Sequence, residues 1–220
     1  MKFVTFLNAG CIDICKNMLK SAELVGINLD DFYIACLDTI SLDALKEYKN
    51  AYLFMDQEIT EYQDWSFDET SKFRSIVQYK WQIIGTQYLR HKDLVWVDTD
   101  IVFKENPTEY LNSFDKMCFQ SDLPGSLVCT GFMKFIDSDL CNTLISLCAS
   151  YEGQDDQLVF NHFVKDYIIE CELLNEDLFP NGNSYYTLGK KSKAMIVHNN
   201  WMVGVNTKIQ KFKDENLWFI

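Results

Sequence analysis

The sequence predicts an α/β fold, parallel strands wrapped by helices, on three observations. Short apolar runs alternate with stretches of helical periodicity through the first hundred residues. The clearest of those runs, Leu94-Val95-Trp96-Val97, opens directly onto a pair of carboxylates. The 16 Phe, 11 Tyr and 5 Trp supply a dense core and flat platforms for ring-shaped ligands. A length of 220 residues suits one domain, and a single domain is placed over residues 1–220.

Lys2 to Leu7 reads as a strand, and Cys11 to Leu24 as a helix that Gly26 ends. Phe32 to Leu37, Leu42 to Tyr48 and Ala51 to Met55 follow as strand, helix and strand, an order that favours parallel pairing with functional loops at strand carboxyl ends. Asp56 to Thr70 is acidic with no sustained apolar period and is expected to be a surface loop. Ser71 to His91 has helical spacing through Ile76, Trp81, Ile84 and Leu89 and leads into the Leu94 to Val97 strand. Past the turn at Asn106-Pro107, strands are expected at Met117 to Gln120, Val128 to Ile136 and Met195 to His198, with helices at Ser138 to Ser150 and Gln157 to Val164.

With 32 acidic and 20 basic side chains the formal net charge is −12, which repels a phosphate backbone, so nucleic acid is not an expected partner. A small phosphorylated ligand needs a cation or local lysines to reverse that field. Among the 8 Cys no two have the two-residue gap of a zinc knuckle or redox dithiol, so free, buried thiols in a reducing compartment are expected. The apolar run before Asp13 is too short for a signal peptide, and no stretch approaches the ~20 apolar residues of a membrane span. The expectation is a cytoplasmic chain of bacterial, viral or other origin, or a catalytic piece of something larger.

Asp98-Thr99-Asp100 follows the strand. Alternate strand residues share a side, so both carboxylates are expected to reach one point beyond the sheet, where hard oxygen ligands suit Mg²⁺ or Mn²⁺ on a diphosphate. A second such spacing, Asp137-Ser138-Asp139, precedes an amphipathic run, where helix N-capping explains it.

The stretch from Leu94 through Asp98-Thr99-Asp100 to Asn106-Pro107 resembles the DxD region of nucleotide-diphospho-sugar transferases with the glycosyltransferase-A (GT-A) fold, and is most similar to the group containing plant cell-wall xylosyltransferases. Further blocks occur in the family order from Val4 to Trp218. They are Phe6 to Gly10, Lys80-Trp81 with Arg74, Cys129 to Met133, Asp155 to Asn161, and His198-Asn199-Asn200-Trp201 with Gly204 and Lys208. The resemblance implies a Rossmann-like, mostly parallel mixed sheet. It implies that Asn8, Ala9, Lys80, Asp98, Thr99, Gly131, Gly204 and Lys208 surround the donor, and that Asp98, Asp100 and His198 hold Mn²⁺ or Mg²⁺. Asp156 and Gln157 would stand beside the transferring sugar, with retention at the anomeric carbon. The donor is then a nucleoside-diphosphate sugar, UDP-linked in expectation, and the acceptor a glycan or another hydroxyl. Locally, Asn8 and Gly10 also read as turn residues, Gly131 as a strand bulge, and Asp155 or Asp156 as a helix cap.

Two alternatives stay open. Asp98-Thr99-Asp100-Ile101-Val102 also fits the nucleophile motif of a haloacid-dehalogenase-like phosphohydrolase, with Ser121, Lys134 and Asp155-Asp156 as later motifs. A nucleotide- or glycan-binding module without catalysis would keep the same metal residues. Donor sugar, acceptor and oligomeric state are not readable from the sequence.

Overall fold

The computed structural model describes residues 1–55, 76–77, 79–123, 127–151 and 155–220. The expected loop at 56–70 and Arg74 lie outside these residues.

Nine strands are described: β1 (Lys2–Leu7), β2 (Phe32–Cys36), β3 (Ala51–Leu53), β4 (Leu94–Val97), β5 (Ile101–Phe103), β6 (Met117–Leu123), β7 (Leu127–Phe135), β8 (Cys171–Leu173) and β9 (Ile196–His198). The helices are α1 (Ile12–Leu24), α2 (Thr39–Ala44), α3 (Tyr79–His91), α4 (Thr108–Asn112), α5 (Asp139–Ala149), α6 (Asp156–Val164), α7 (Gly182–Tyr186) and α8 (Val205–Asp214). Seven strands form one mixed sheet in the order β3-β2-β1-β4-β7-β6-β8, and β5 pairs with β9 in a separate ribbon. The first four are parallel, β7 runs antiparallel to both β4 and β6, and β8 is parallel to β6. The sheet is therefore mostly parallel at its β3 edge and mixed beyond β4.

Strand alternation divides the core. Val4 and Trp96 turn to one face, where Trp81 and Ile84 of α3 and Phe160 of α6 cover them. Phe3, Val95 and Val97 turn to the other, against Met18 and Leu19 of α1 and Phe132. Aromatic rings fill both sides: Trp81 stacks on Phe160 at 5.0 Å and Phe3 on Phe32 at 4.9 Å between centroids. A smaller core joins the β5–β9 ribbon to α8 through Val102, Val197 and Phe212. All eight cysteines are free; Cys11 is half-buried and the rest are buried.

Several expected boundaries shift for local reasons. The expected helix from Leu42 to Tyr48 begins earlier, at Thr39, because the Asp38 carboxylate accepts the Ser41 N–H and caps it. Leu89 is 73% exposed and Tyr88 supplies the buried contact of its turn. The Asp137-Ser138-Asp139 segment does cap α5, but through the middle residue, whose hydroxyl accepts the Cys141 N–H at 3.1 Å. β8, α7 and α8 were not expected from the sequence. Ser138→Ala is predicted to lower stability by about 1 kcal/mol, whereas Asp137→Asn stays within roughly 0.5 kcal/mol. Urea denaturation of the two variants checks the contrast.

Candidate active site at the carboxyl ends of the strands

Residues of β1, α1, α3, the β4–β5 turn, β7, α6, β9 and α8 line a cavity of about 420 Å³ beyond the carboxyl end of β4. Asp98-Thr99-Asp100 is the turn between β4 and β5, closed by the Ile101 N–H donating to the Asp98 carbonyl at 3.2 Å. The two carboxylates therefore meet because the chain turns, and the expectation that strand alternation brings them together is corrected. The ribbon register sets Ile101 opposite His198, and the Asn199 N–H donates to the Asp100 carbonyl at 2.9 Å. This pairing carries His198 across 98 residues of sequence to the turn. One potential ligand atom from each of Asp98, Asp100 and His198 lies within 4.8 Å of the others.

The imidazole is held from three sides. Its Nδ1 meets the Gln120 Oε1 at 2.7 Å, and its Nε2 faces an Asp100 oxygen at 3.3 Å. The ring lies over Gly131, where a Cβ would stand 2.1 Å from the ring Cε1. Gly131 lines the cavity, but the space above it belongs to His198. The glycine sits in a bulge: Phe119 pairs with Met133 while Gln120 pairs with Cys129, so three β7 residues are left over. That bulge turns the Thr130 carbonyl to Lys80 and the Thr130 hydroxyl to Asp156.

Three carboxylates face three basic groups. Lys80, 3% exposed, bridges Asp156 at 2.5 Å and Asp98 at 3.2 Å. Lys208 donates to Asp100 at 2.6 Å. Burial pulls the Lys80 ammonium's pKa down, but Asp156 and Asp98 outweigh it and hold the group charged well above its ordinary range. Burial likewise raises the Asp100 carboxyl, and Lys208 with His198 overrides that, holding it far below the carboxylate range. For His198 burial favours the neutral ring, yet Asp100 wins and lifts its pKa to about 10.

The remaining expected residues fall as follows. Asn8 lines the cavity with a buried Oδ1 that has no partner among the described residues, an acceptor suited to a ligand donor. The Ala9 N–H donates to buried Asp38 at 2.7 Å. Thr99 lines the cavity, whereas Gly204, at φ 86°, forms the turn that launches α8 and so sets Lys208. Asp155 caps α6 by accepting the Gln157 and Leu158 N–H groups, which leaves Asp156 for Lys80 and Thr130. Gln157 accepts the Thr130 N–H at 3.3 Å and donates to Asp122 at 3.0 Å. Gln120, Asp38 and Asp122 were not singled out from the sequence. A glutamine in the otherwise apolar Met117-Cys118-Phe119-Gln120 strand was the available signal for the first, and an aspartate heading a helix for the second. The phosphohydrolase constellation does not assemble: the Lys134 ammonium donates to the Leu111 and Phe114 carbonyls, and the Ser121 hydroxyl to the Leu123 carbonyl. Among the described residues no helix is long and apolar enough to cross a membrane.

Comparison with known proteins gives the family and the fold. A UDP-galactose:fucoside alpha-3-galactosyltransferase of Dictyostelium discoideum is 22% identical over an alignment covering all of this chain and 43% of that protein. A UDP-D-xylose:L-fucose alpha-1,3-D-xylosyltransferase of Arabidopsis thaliana is 23% identical over 65% of this chain and 48% of its own. The chain thus spans less than half the length of these curated relatives. The crystal structure of the galactosyltransferase LgtC with donor and acceptor sugar analogues superposes with a TM-score of 0.57 at 10% identity, covering 90% of this chain and 86% of that one, and shows the shared GT-A fold. The family model described as nucleotide-diphospho-sugar transferase matches residues 27–212, and the chain belongs to that family.

Proposed function

We propose that this chain is a metal-dependent glycosyltransferase domain, spanning residues 1–220, that moves a sugar from a nucleoside diphosphate to a hydroxyl acceptor. The observation that carries the reading is the meeting of Asp98, Asp100 and His198 at the mouth of a cavity flanked by Lys80 and Lys208. Two carboxylates and an imidazole suit Mn²⁺ better than a purely oxygen-lined set would, with Mg²⁺ as the second candidate. The Gln120 bond to Nδ1 favours the residues' fitness for this role, because it fixes which imidazole nitrogen faces the carboxylates.

A divalent ion bound there supplies Lewis acidity to the departing diphosphate. The protein's own groups do the rest. Lys208 adds positive charge where the leaving group gains negative charge, in a chain whose overall sign opposes phosphate. Asn8, beside the first strand, offers the nucleoside an oxygen that has no partner among the described residues. Lys80 and Thr130 hold Asp156 in one orientation, with Gln157 beside it, so that charge developing at the anomeric carbon meets a preset dipole and carboxylate. Both curated relatives are named for UDP-sugar donors, fucose-type acceptors and alpha products, so UDP-galactose and UDP-xylose with a fucoside are the first substrates to test, with retention as the stereochemical expectation.

The decisive assay incubates the protein with a panel of nucleotide-sugars and Mn²⁺ and measures nucleoside-diphosphate release. Chelator and Asp100→Asn are each expected to lower the rate roughly 100-fold or more; undiminished release in both removes the metal from the mechanism. Tight nucleoside-diphosphate binding with no turnover of any donor would favour a binding module instead. Metal loading has its own signature. His198 carries a proton up to about pH 10, so Mn²⁺ must displace it, and at pH 7.5 binding should release about one proton. Affinity then falls roughly tenfold per pH unit as the pH drops. Calorimetry in buffers of different ionisation enthalpy reads the proton directly, and His198→Ala should remove it.

A further inference from the structure

The loop after β9 carries a tryptophan that the donor site does not use. Trp201 is 57% exposed, and its backbone lies at φ 66°, a region bulky residues seldom occupy. A lone exposed aromatic is ordinary. This one is held, however, because its indole N–H donates to Asp122 Oδ1 at 3.0 Å. The same carboxylate reaches the cavity wall twice: Asn200 donates to Oδ1 at 3.4 Å and Gln157 donates to Oδ2 at 3.0 Å. Gln157 and Asn200 both line the cavity. Asn200 is itself fixed, accepting the Gly182 N–H at 2.6 Å, and a Cβ on Gly182 would collide with the Asn200 carbonyl at 2.1 Å.

A carboxylate offers about four acceptor directions. Among the described residues three are taken at Asp122, two on Oδ1 and one on Oδ2, so the open direction lies on the oxygen next to Gln157. The arrangement is a flat ring and a hydroxyl acceptor side by side at the rim, on the side of the cavity where Gln157 stands.

We propose that Trp201 and Asp122 form the acceptor subsite and that the acceptor presented there is a sugar ring. The inference rests on the glycosyl-transfer reading above. The apolar face of a pyranose packs on the indole, whose flat surface is already desolvated on one edge by its bond to Asp122. A hydroxyl of that sugar donates to Asp122 Oδ2, and the ring is thereby aimed at the Gln157 side of the cavity. A strained backbone at Trp201 is the local cost of aiming the indole outward while its N–H turns in.

The test uses wild-type protein and the variants Trp201→Ala, Trp201→Phe and Asp122→Asn. Acceptor kinetics are measured with methyl α-L-fucoside and a panel of other methyl glycosides, beside donor hydrolysis in water and affinity for UDP with Mn²⁺. Trp201→Ala should raise the acceptor KM about tenfold or more, Trp201→Phe should recover most of that loss, and UDP affinity should stay within about twofold in both. Asp122→Asn should raise the acceptor KM and narrow which sugars are accepted. In wild-type protein held with UDP and Mg²⁺, the indole N–H resonance missing from Trp201→Phe should shift on adding the sugar that serves as acceptor. An unaltered acceptor KM in Trp201→Ala overturns the subsite, as does a panel in which no glycoside is a saturable acceptor or moves that resonance. If instead the wild-type protein cleaves no donor at all, the glycosyl-transfer reading fails, and that result is separable because it involves no acceptor.

Discussion

The site depends on a three-residue strand pairing. β5 and β9 contribute only Ile101, Val102 and Phe103 against Ile196, Val197 and His198, yet this register is what joins the Asp98–Asp100 turn to an imidazole from the far end of the chain. So short a ribbon is marginal alone. Its stability comes from burial on both sides: Ile101, Phe103 and Ile196 pack into the core under the main sheet, while Val102 and Val197 pack with Phe212 of α8. Helix α8 also carries Lys208, so the same apolar contacts place the histidine and the lysine on Asp100 together.

Charge is the second constraint, and it acts against the composition. A chain with a formal charge of −12 has gathered Lys80, Lys208 and His198 around Asp98, Asp100 and Asp156 in one largely buried cluster. Buried charges survive only when paired, and here every carboxylate has a basic neighbour. Balanced in this way, with His198 protonated, the three carboxylates and three basic groups carry no net charge. Exchanging the imidazolium proton for a divalent cation would tip the balance positive, which is the condition under which a diphosphate is drawn into an otherwise repellent protein.

Much of the fold was legible because its strands are short, apolar and separated by helical periods; β1, β2 and β4 lie where the pattern puts them. The missed elements carry weaker signals. β8 is three residues with one exposed glutamate at its centre, and α8 is a polar helix that buries only Lys208 and Phe212. The chemistry-bearing residues were legible mainly through resemblance, since no local period announces that His198 opposes Ile101. Gln120 escaped notice because its value lies in a partner 78 residues away. Asp155 and Asp156 show why local alternatives were worth keeping: helix capping and a role in the site were rival readings of one pair, and the structure divides the labour, the first residue capping α6 so that the second is released to Lys80.

The β7 bulge explains why these separate devices behave as one. Residues 130–132 leave the β6 ladder, and each liberated group is taken up by a different part of the site. The Thr130 hydroxyl holds Asp156, its carbonyl receives Lys80 and its N–H meets Gln157, while the bare Cα of Gly131 seats the His198 ring. The Gly131 carbonyl meanwhile accepts the Asp98 N–H at 2.8 Å, fixing the start of the aspartate turn. A regular strand would have spent those backbone groups on β6, leaving the imidazole without its seat and Asp156 without its hydroxyl. The irregularity in the sheet is thus what couples the Asp98–Asp100–His198 side of the cavity to the Asp156–Gln157 side, through the packing of His198 on Gly131 and the hydrogen bonds of Thr130 and Gly131.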